Sequence, residues 1–185
     1  TMIINTPNGA QIPPKTADWL EGTYIKIINA DGTTDYEGKE DNIRGRGNST
    51  WGYPKKPYAV KLDSKASILG MPKHKRWVLL ANWKDRTMVR NEVAFGMADV
   101  FKQTFPNDGL AWNPSGQFVE LVYNNVHVGT YYLCEQIKID GNRLDINDPY
   151  DKDDAYSGNP EDYGYLLECD DAYDETYKFL TKMYI

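Results

Sequence analysis

Between positions 44 and 61 the chain sets Arg44, Arg46, Lys55, Lys56 and Lys61 around two glycines, Gly45 and Gly47, and three uncharged donors, Asn48, Ser49 and Thr50. Guanidinium and ammonium groups donate to phosphate or carboxylate oxygens. Glycine lets a backbone come close to an anion. Glycine relief, clustered cations and a following strand are the ingredients of a phosphate cradle. The order Arg-Gly-Arg-Gly-Asn-Ser-Thr-Trp is neither a Walker sequence nor the glycine loop of protein kinases. The same residues suit an ordinary bend, with arginines on nearby carbonyls and Trp51 capping the core. The residue types alone leave both readings open.

Other reactive side chains point to less. His74 lies in a basic loop and His127 in a strand, neither with a partner in sequence, and Ser49 has no histidine base near it. Asp151, Asp153 and Asp154 lack the glycine and terminal glutamate of a calcium loop, so a solvated acidic loop is expected. Cys134 and Cys169 form no zinc spacing; they allow one disulfide, but both sit in apolar runs and are read as buried thiols.

These residues belong to a chain of 185 residues, enough for one domain or for one lobe with an extension. An apolar fraction of 41% with 14 tyrosines and 5 tryptophans argues for a folded core in spite of a mean hydropathy of −0.65. The net charge is −6 and the pI about 5.0, which excludes a globally basic nucleic-acid binder. Charge is unevenly placed: lysines and arginines crowd positions 55–90, and acids dominate from Asp145 to Glu175. A basic centre in an acidic chain can hold an anion at one place. No apolar stretch reaches the length of a membrane span, and the residues open directly on a strand-like segment, as expected of a chain trimmed of an export signal.

The elements that must position the cations are mostly strands. Alternating or β-branched runs at 2–5, 23–29, 43–46, 57–62, 77–81, 117–123 and 126–134 predict them. Asp31-Gly32 and Asn124-Asn125 mark tight turns. In the run 57–62, Tyr58, Val60 and Leu62 share one face and Ala59 and Lys61 the other. Val89, Val93, Phe95, Met97, Val100 and Phe101 predict one long helix over about 85–101, begun by an acid and ended before Pro106. A polar loop over 147–162 and a last strand pair, 163–169 with 177–185, complete the chain. The expected class is α+β, a mostly antiparallel sheet with one long helix.

The order RGRGNSTW, then KKPYAVKL, resembles the opening of the spore coat protein H (CotH) kinase-like family. The series continues through Leu69-Gly70-Met71, the run Trp77–Asn82, and the segment Asp85–Asn91. It then passes by Phe118–Leu121 and Gly129–Ile137 to Gly164–Glu168 and Asp170. The likeness runs from about Ile3 to the end of the chain, so residues 1–185 are read as the amino-terminal portion of such a domain, in a surface-protein-type member.

The resemblance implies a fold like the N-terminal part of an atypical protein kinase, which moves phosphate from ATP, with a divalent metal (Mg or Mn), to serine in a protein substrate. On that footing Lys61 is the strand lysine that holds phosphates, with Glu92 or Glu135 as the carboxylate that orients it. Arg46, Asn48, Lys56 and Arg90 complete the expected nucleotide-binding set. Family domains run further, and their second half carries the metal-binding and catalytic acids. The expectation is therefore no catalytic residue in this chain and little activity from it alone, which leaves open whether it is an enzyme. A cell-surface module binding protein or glycan, or a purely structural fragment, are the alternatives. The resemblance also implies secretion or display on a cell surface.

Overall fold

The computed structural model describes residues 1–106, 111–147, 159 and 164. The chain divides into two compact units, Thr1–Asp145 and Ile146–Ile185, and the fold that follows is that of the first. Seven strands, β1 (Met2–Asn5), β2 (Leu20–Ile28), β3 (Thr34–Gly45), β4 (Tyr58–Ile68), β5 (Met71–Leu80), β6 (Gly116–Tyr123) and β7 (Val126–Glu135), close into a barrel in the order β1-β2-β3-β4-β5-β7-β6. Every neighbouring pair is antiparallel except the parallel seam of β1 with β6, where Met2 to Ile4 lie beside Leu121 to Tyr123.

Two-residue alternation decides which side chains go inside. Ile25 and Ile27 of β2, Val60 and Leu62 of β4, Trp77 and Leu79 of β5, and Tyr131 and Leu133 of β7 meet in one core with Met2, Ile4, Ile43 and Leu121. Arg44, Lys61 and Arg76 occupy the intervening outward positions. The hairpin turns use residues that tolerate positive φ. Leu69 and Gly70 (φ 50° and 79°) join β4 to β5, and Asn124 and Asn125 (φ 45° and 65°) join β6 to β7.

The α+β expectation is corrected here: the described unit is a closed β-barrel with one short helix. Alternation reports that a segment is a strand, but not that its first and last strands will pair. The parallel β1–β6 contact joins segments more than 110 residues apart, and no local pattern announces it. The strands also run longer than their apolar runs. β3 extends through the polar stretch 34–41, and β4 and β5 meet through 63–76, where pairing with neighbours sustains residues of low strand propensity.

The helix α1 spans Arg90–Thr104. Residues 85–89, expected within it, form a turn instead. Asp85 accepts the amide and hydroxyl of Thr87 (3.0 and 2.6 Å) and the amide of Arg90 (2.9 Å), so its carboxylate supports the helix start from outside. No residue of α1 is buried. Phe95 packs on a small outer cluster of Val78, Tyr132 and Cys134, while Val89, Val93, Met97, Val100 and Phe101 are exposed. The helix therefore lies on the barrel and supplies none of its core. The expected strand pair 163–169 with 177–185, the acidic loop and Cys169 lie outside the described residues; Cys134 is a buried free thiol, which burial pushes up to about 12.

Candidate functional site

The bend that follows β3 is built by its own residues. A Cβ on Gly45 would stand 2.5 Å from the Trp51 ring, so this glycine makes room for the indole. Gly47 has φ +86°, and a side chain there would run into the Thr50 hydroxyl. The amide of Gly45 donates to Pro13 O (2.7 Å) and that of Arg46 to Pro57 O (3.2 Å). Both glycines thus serve packing and turn geometry within the bend, rather than the approach of a ligand.

Lys55 and Lys56 clamp a column of three aromatic rings. Lys56 lies over Trp51 (5.4 Å to the ring centre) and donates to Trp51 O (2.6 Å). Trp51 meets Tyr58 edge-on, and Tyr58 stacks on Tyr131 (6.1 Å). At the far end Lys55 lies over Tyr131 (4.5 Å) and donates to Thr130 O. An ammonium over a ring face is attracted by its quadrupole. Consecutive lysines so hold the bend against β7, and burial moves the Lys55 ammonium below the usual lysine range.

A cleft of about 310 Å³ opens between this bend and the turn after β5. Arg46, Thr50, Tyr53, Lys55 and Pro57 line one side, and Leu80 to Asp85 with Arg90 and Asn91 line the other. The second wall is tied together by Asn82, a residue at φ 48°. Its amide donates to Met88 O (2.9 Å), and its carbonyl accepts from the Asn91 amide (2.8 Å). Lys84 rests over the Tyr53 ring (5.0 Å), which joins the two walls. Four cations, Arg46, Lys55, Lys84 and Arg90, thus face one carboxylate, Asp85. Hydrogen bonds from Thr87, foremost, hold that carboxyl below the usual range, and Arg90 stands 3.6 Å from it with a side chain 82% exposed. Arg46 is the deep cation, its guanidinium moved down by burial. Half-exposed Trp83 stands at the rim. Cations held at a partly dry floor attract an anion more strongly than they would in water.

Of the residues expected to bind nucleotide, Arg46 and Arg90 line this cleft. Lys56 lies against Trp51 as described. Asn48 is exposed and accepts from Lys15. Lys61 points outward from β4, opposite Asn42 and Arg76. It stands four residues along the sheet from the Arg46 row, about 13 Å at strand spacing. Glu92 faces the Tyr132 phenol, which burial and then this carboxylate push above the ordinary tyrosine range. Glu135 lies inward, in register with Trp77. It accepts from Ser115 (3.1 and 3.0 Å) and pairs with buried Arg143 at 3.4 Å. Arg143 in turn lies over Trp77 (4.9 Å). The structure therefore gives Glu135 an arginine partner and sets it on the barrel face opposite Lys61. Tyr53, Asn82, Lys84, Asp85 and Asn91 were not among the residues expected to bind nucleotide. The Asn82–Asn91 segment carried the signal, as a charged stretch between a strand and a helix.

The fold and cleft define a class: a small closed β-barrel whose one end carries a cationic pocket. Residues 43–182 match the family described as CotH kinase protein, and the chain belongs to that family. The match begins at the end of β3 and takes in both walls of the cleft. No curated protein matches the chain.

Proposed function

We propose that the cleft holds the phosphates of a nucleotide, and that the chain provides the nucleotide-binding portion of a CotH-type protein serine kinase. The observation that carries this reading is the charge of the cleft: four cations against a single, already engaged carboxylate, in a chain of net charge −6. Arg46, largely buried at the floor, offers guanidinium donors to arriving phosphate oxygens, and Lys55 adds positive charge while its ammonium rests on Thr130 O and the Tyr131 ring. Arg90 and Lys84 stand at the rim, where they close on the outer phosphates. Tyr53 and Trp83 offer apolar ring surface beside them for a base. Membership of a kinase family makes a nucleoside triphosphate the matching anion.

The divalent metal that such a reaction ordinarily uses finds no suitable ligands here. Asp85 is the cleft's one acid, and its two oxygens already accept from Thr87 and from the Arg90 amide. Among the described residues no cluster of histidine, cysteine or acid has the makings of a metal site. What these residues do is bind and orient phosphate. Serine in a protein is the acceptor within the same proposal, and secretion or surface display its setting.

Calorimetric titration with ATP tests the reading. Saturable binding is expected, weakened about tenfold in Lys84→Gln and Arg90→Gln and more in Arg46→Gln, given that a charge-assisted hydrogen bond contributes about 1.5–3 kcal/mol. Absence of binding, or equal binding by all three variants, would sink it. A surface-binding module predicts the former outcome. Described residues include no helix long and apolar enough to cross a membrane. Fractionation of the cells that make the protein tests the setting.

A further inference from the structure

Along the outer face of β3–β5, beside the cleft, two arginines share one indole. The guanidinium carbons of Arg44 and Arg76 stand 4.5 and 4.6 Å from the centre of the Trp19 ring. Arg44 is in register with Ala59, which is buried on this face. The next outward position of β4 is Lys61, in register with Arg76. Three cations so surround one patch of sheet. Among the described residues none of the three forms an ion pair. Nη1 of Arg76 is buried with no hydrogen-bond partner. A ring quadrupole attracts each cation, but it does not cancel the repulsion between two charges gathered on it. Burial first, and then the charge of Arg44, lower the affinity of Arg76 for its proton. An anion touching both arginines relieves that repulsion and completes their donor sets.

We propose that Arg44, Lys61 and Arg76, arranged around Trp19, form a second phosphate site that takes a phosphorylated serine in an extended protein segment. Three cations suit a dianion with three acceptor oxygens better than a single carboxylate. The ring of Trp19 already carries two guanidiniums, which compete with a nucleobase for it and disfavour a nucleotide here. The outer side of a sheet accommodates an extended chain, and arginine clusters are a recurring means of reading phosphorylated segments. The choice of phosphoserine rests on the kinase reading, since that is the product such an enzyme makes; the binding itself needs no nucleotide.

Fluorescence anisotropy with the whole chain tests this, using one labelled peptide in serine, glutamate and phosphoserine forms, without ATP. The phosphoserine form is expected to bind at least about tenfold more tightly than the other two. Lys61→Gln, at an exposed position that folding tolerates, lowers that affinity several-fold. Arg76→Lys, which keeps the charge and loses the fork, lowers it also. Lys84→Gln with Arg90→Gln leaves it unchanged. Equal binding of the three peptides, or unchanged binding by both Lys61→Gln and Arg76→Lys, would overturn the proposal. So would displacement of the peptide by ATP, which would merge the two sites. Phosphoserine binding by a chain that fails to bind ATP would support this site and remove only the nucleotide reading.

Discussion

Arg46 enters the cleft because the strand that carries it ends one residue earlier, at Gly45, and the bend then turns under Pro57. Its neighbours in sequence do other work, and the glycines show why. Gly47→Ala is expected to destabilise the chain by about 1–2 kcal/mol, since alanine resists φ +86° and its methyl group meets Thr50. Thermal unfolding checks this, with Gly52→Ala, where nothing lies within 4 Å, as the tolerant comparison. At this scale the cationic content of the 44–61 segment was plain in the sequence. Which cations face a ligand was not. Lys55 and Lys56 are adjacent and each lies over a ring, Tyr131 and Trp51, at opposite ends of the aromatic column, yet only Lys55 also lines the cleft.

Among elements, the segment after β7 decides how the barrel mouth is sealed. Arg143 reaches back over Trp77 to Glu135, both side chains almost wholly out of water. Removing one partner of a buried pair leaves the other charge uncompensated, so Arg143→Met should cost about 3–5 kcal/mol, measured by urea unfolding. The double variant with Glu135→Gln should recover part of that loss. The same segment is tied to the β4–β5 hairpin by Asp140, which accepts from Lys65 (2.6 Å) and from the Asn142 amide (3.0 Å). The hydrogen bond from Lys65, foremost, holds this carboxyl below its ordinary value. A lowered acid contributes stability that is complete above the unfolded carboxylate range and fades as pH falls through the folded value. Asp140→Asn is therefore expected to lower stability by about 0.5–1 kcal/mol at pH 7 and to lose that difference in acid. Glu135 stood out in the sequence for its place at the end of a hairpin, but its partner lies eight residues on, in a segment without periodicity.

For the whole molecule, closure rests on a short seam. Asn124, already at positive φ, accepts the Thr6 amide (2.9 Å) and donates to the Thr6 hydroxyl (2.9 Å), while its own amide donates to Ile4 O (2.9 Å). One turn residue thus fastens β6 to the end of β1. Asn124→Ala loses two side-chain bonds and the tolerance of the turn, a cost of about 1–3 kcal/mol. Hydrogen exchange of the β1 amides should show the opening first at that seam. Once the seam parts, two strand edges are bared, so the variant is also expected to associate at high concentration, visible by light scattering.

Strand alternation, turn residues and the crowding of cations near the bend are local properties, written in neighbouring positions and legible in the sequence itself. Period-two patterning separates Val60 and Leu62 from Lys61 without reference to the rest of the chain. Barrel closure and the meeting of Arg44 and Arg76 on Trp19 each join residues far apart in the chain, and the inward turn of Glu135 toward Arg143 depends on how the aperiodic segment after β7 packs. Such pairings are chosen by the competition among all strands to bury their apolar faces and satisfy their edges at once, and that choice exists only in the folded chain.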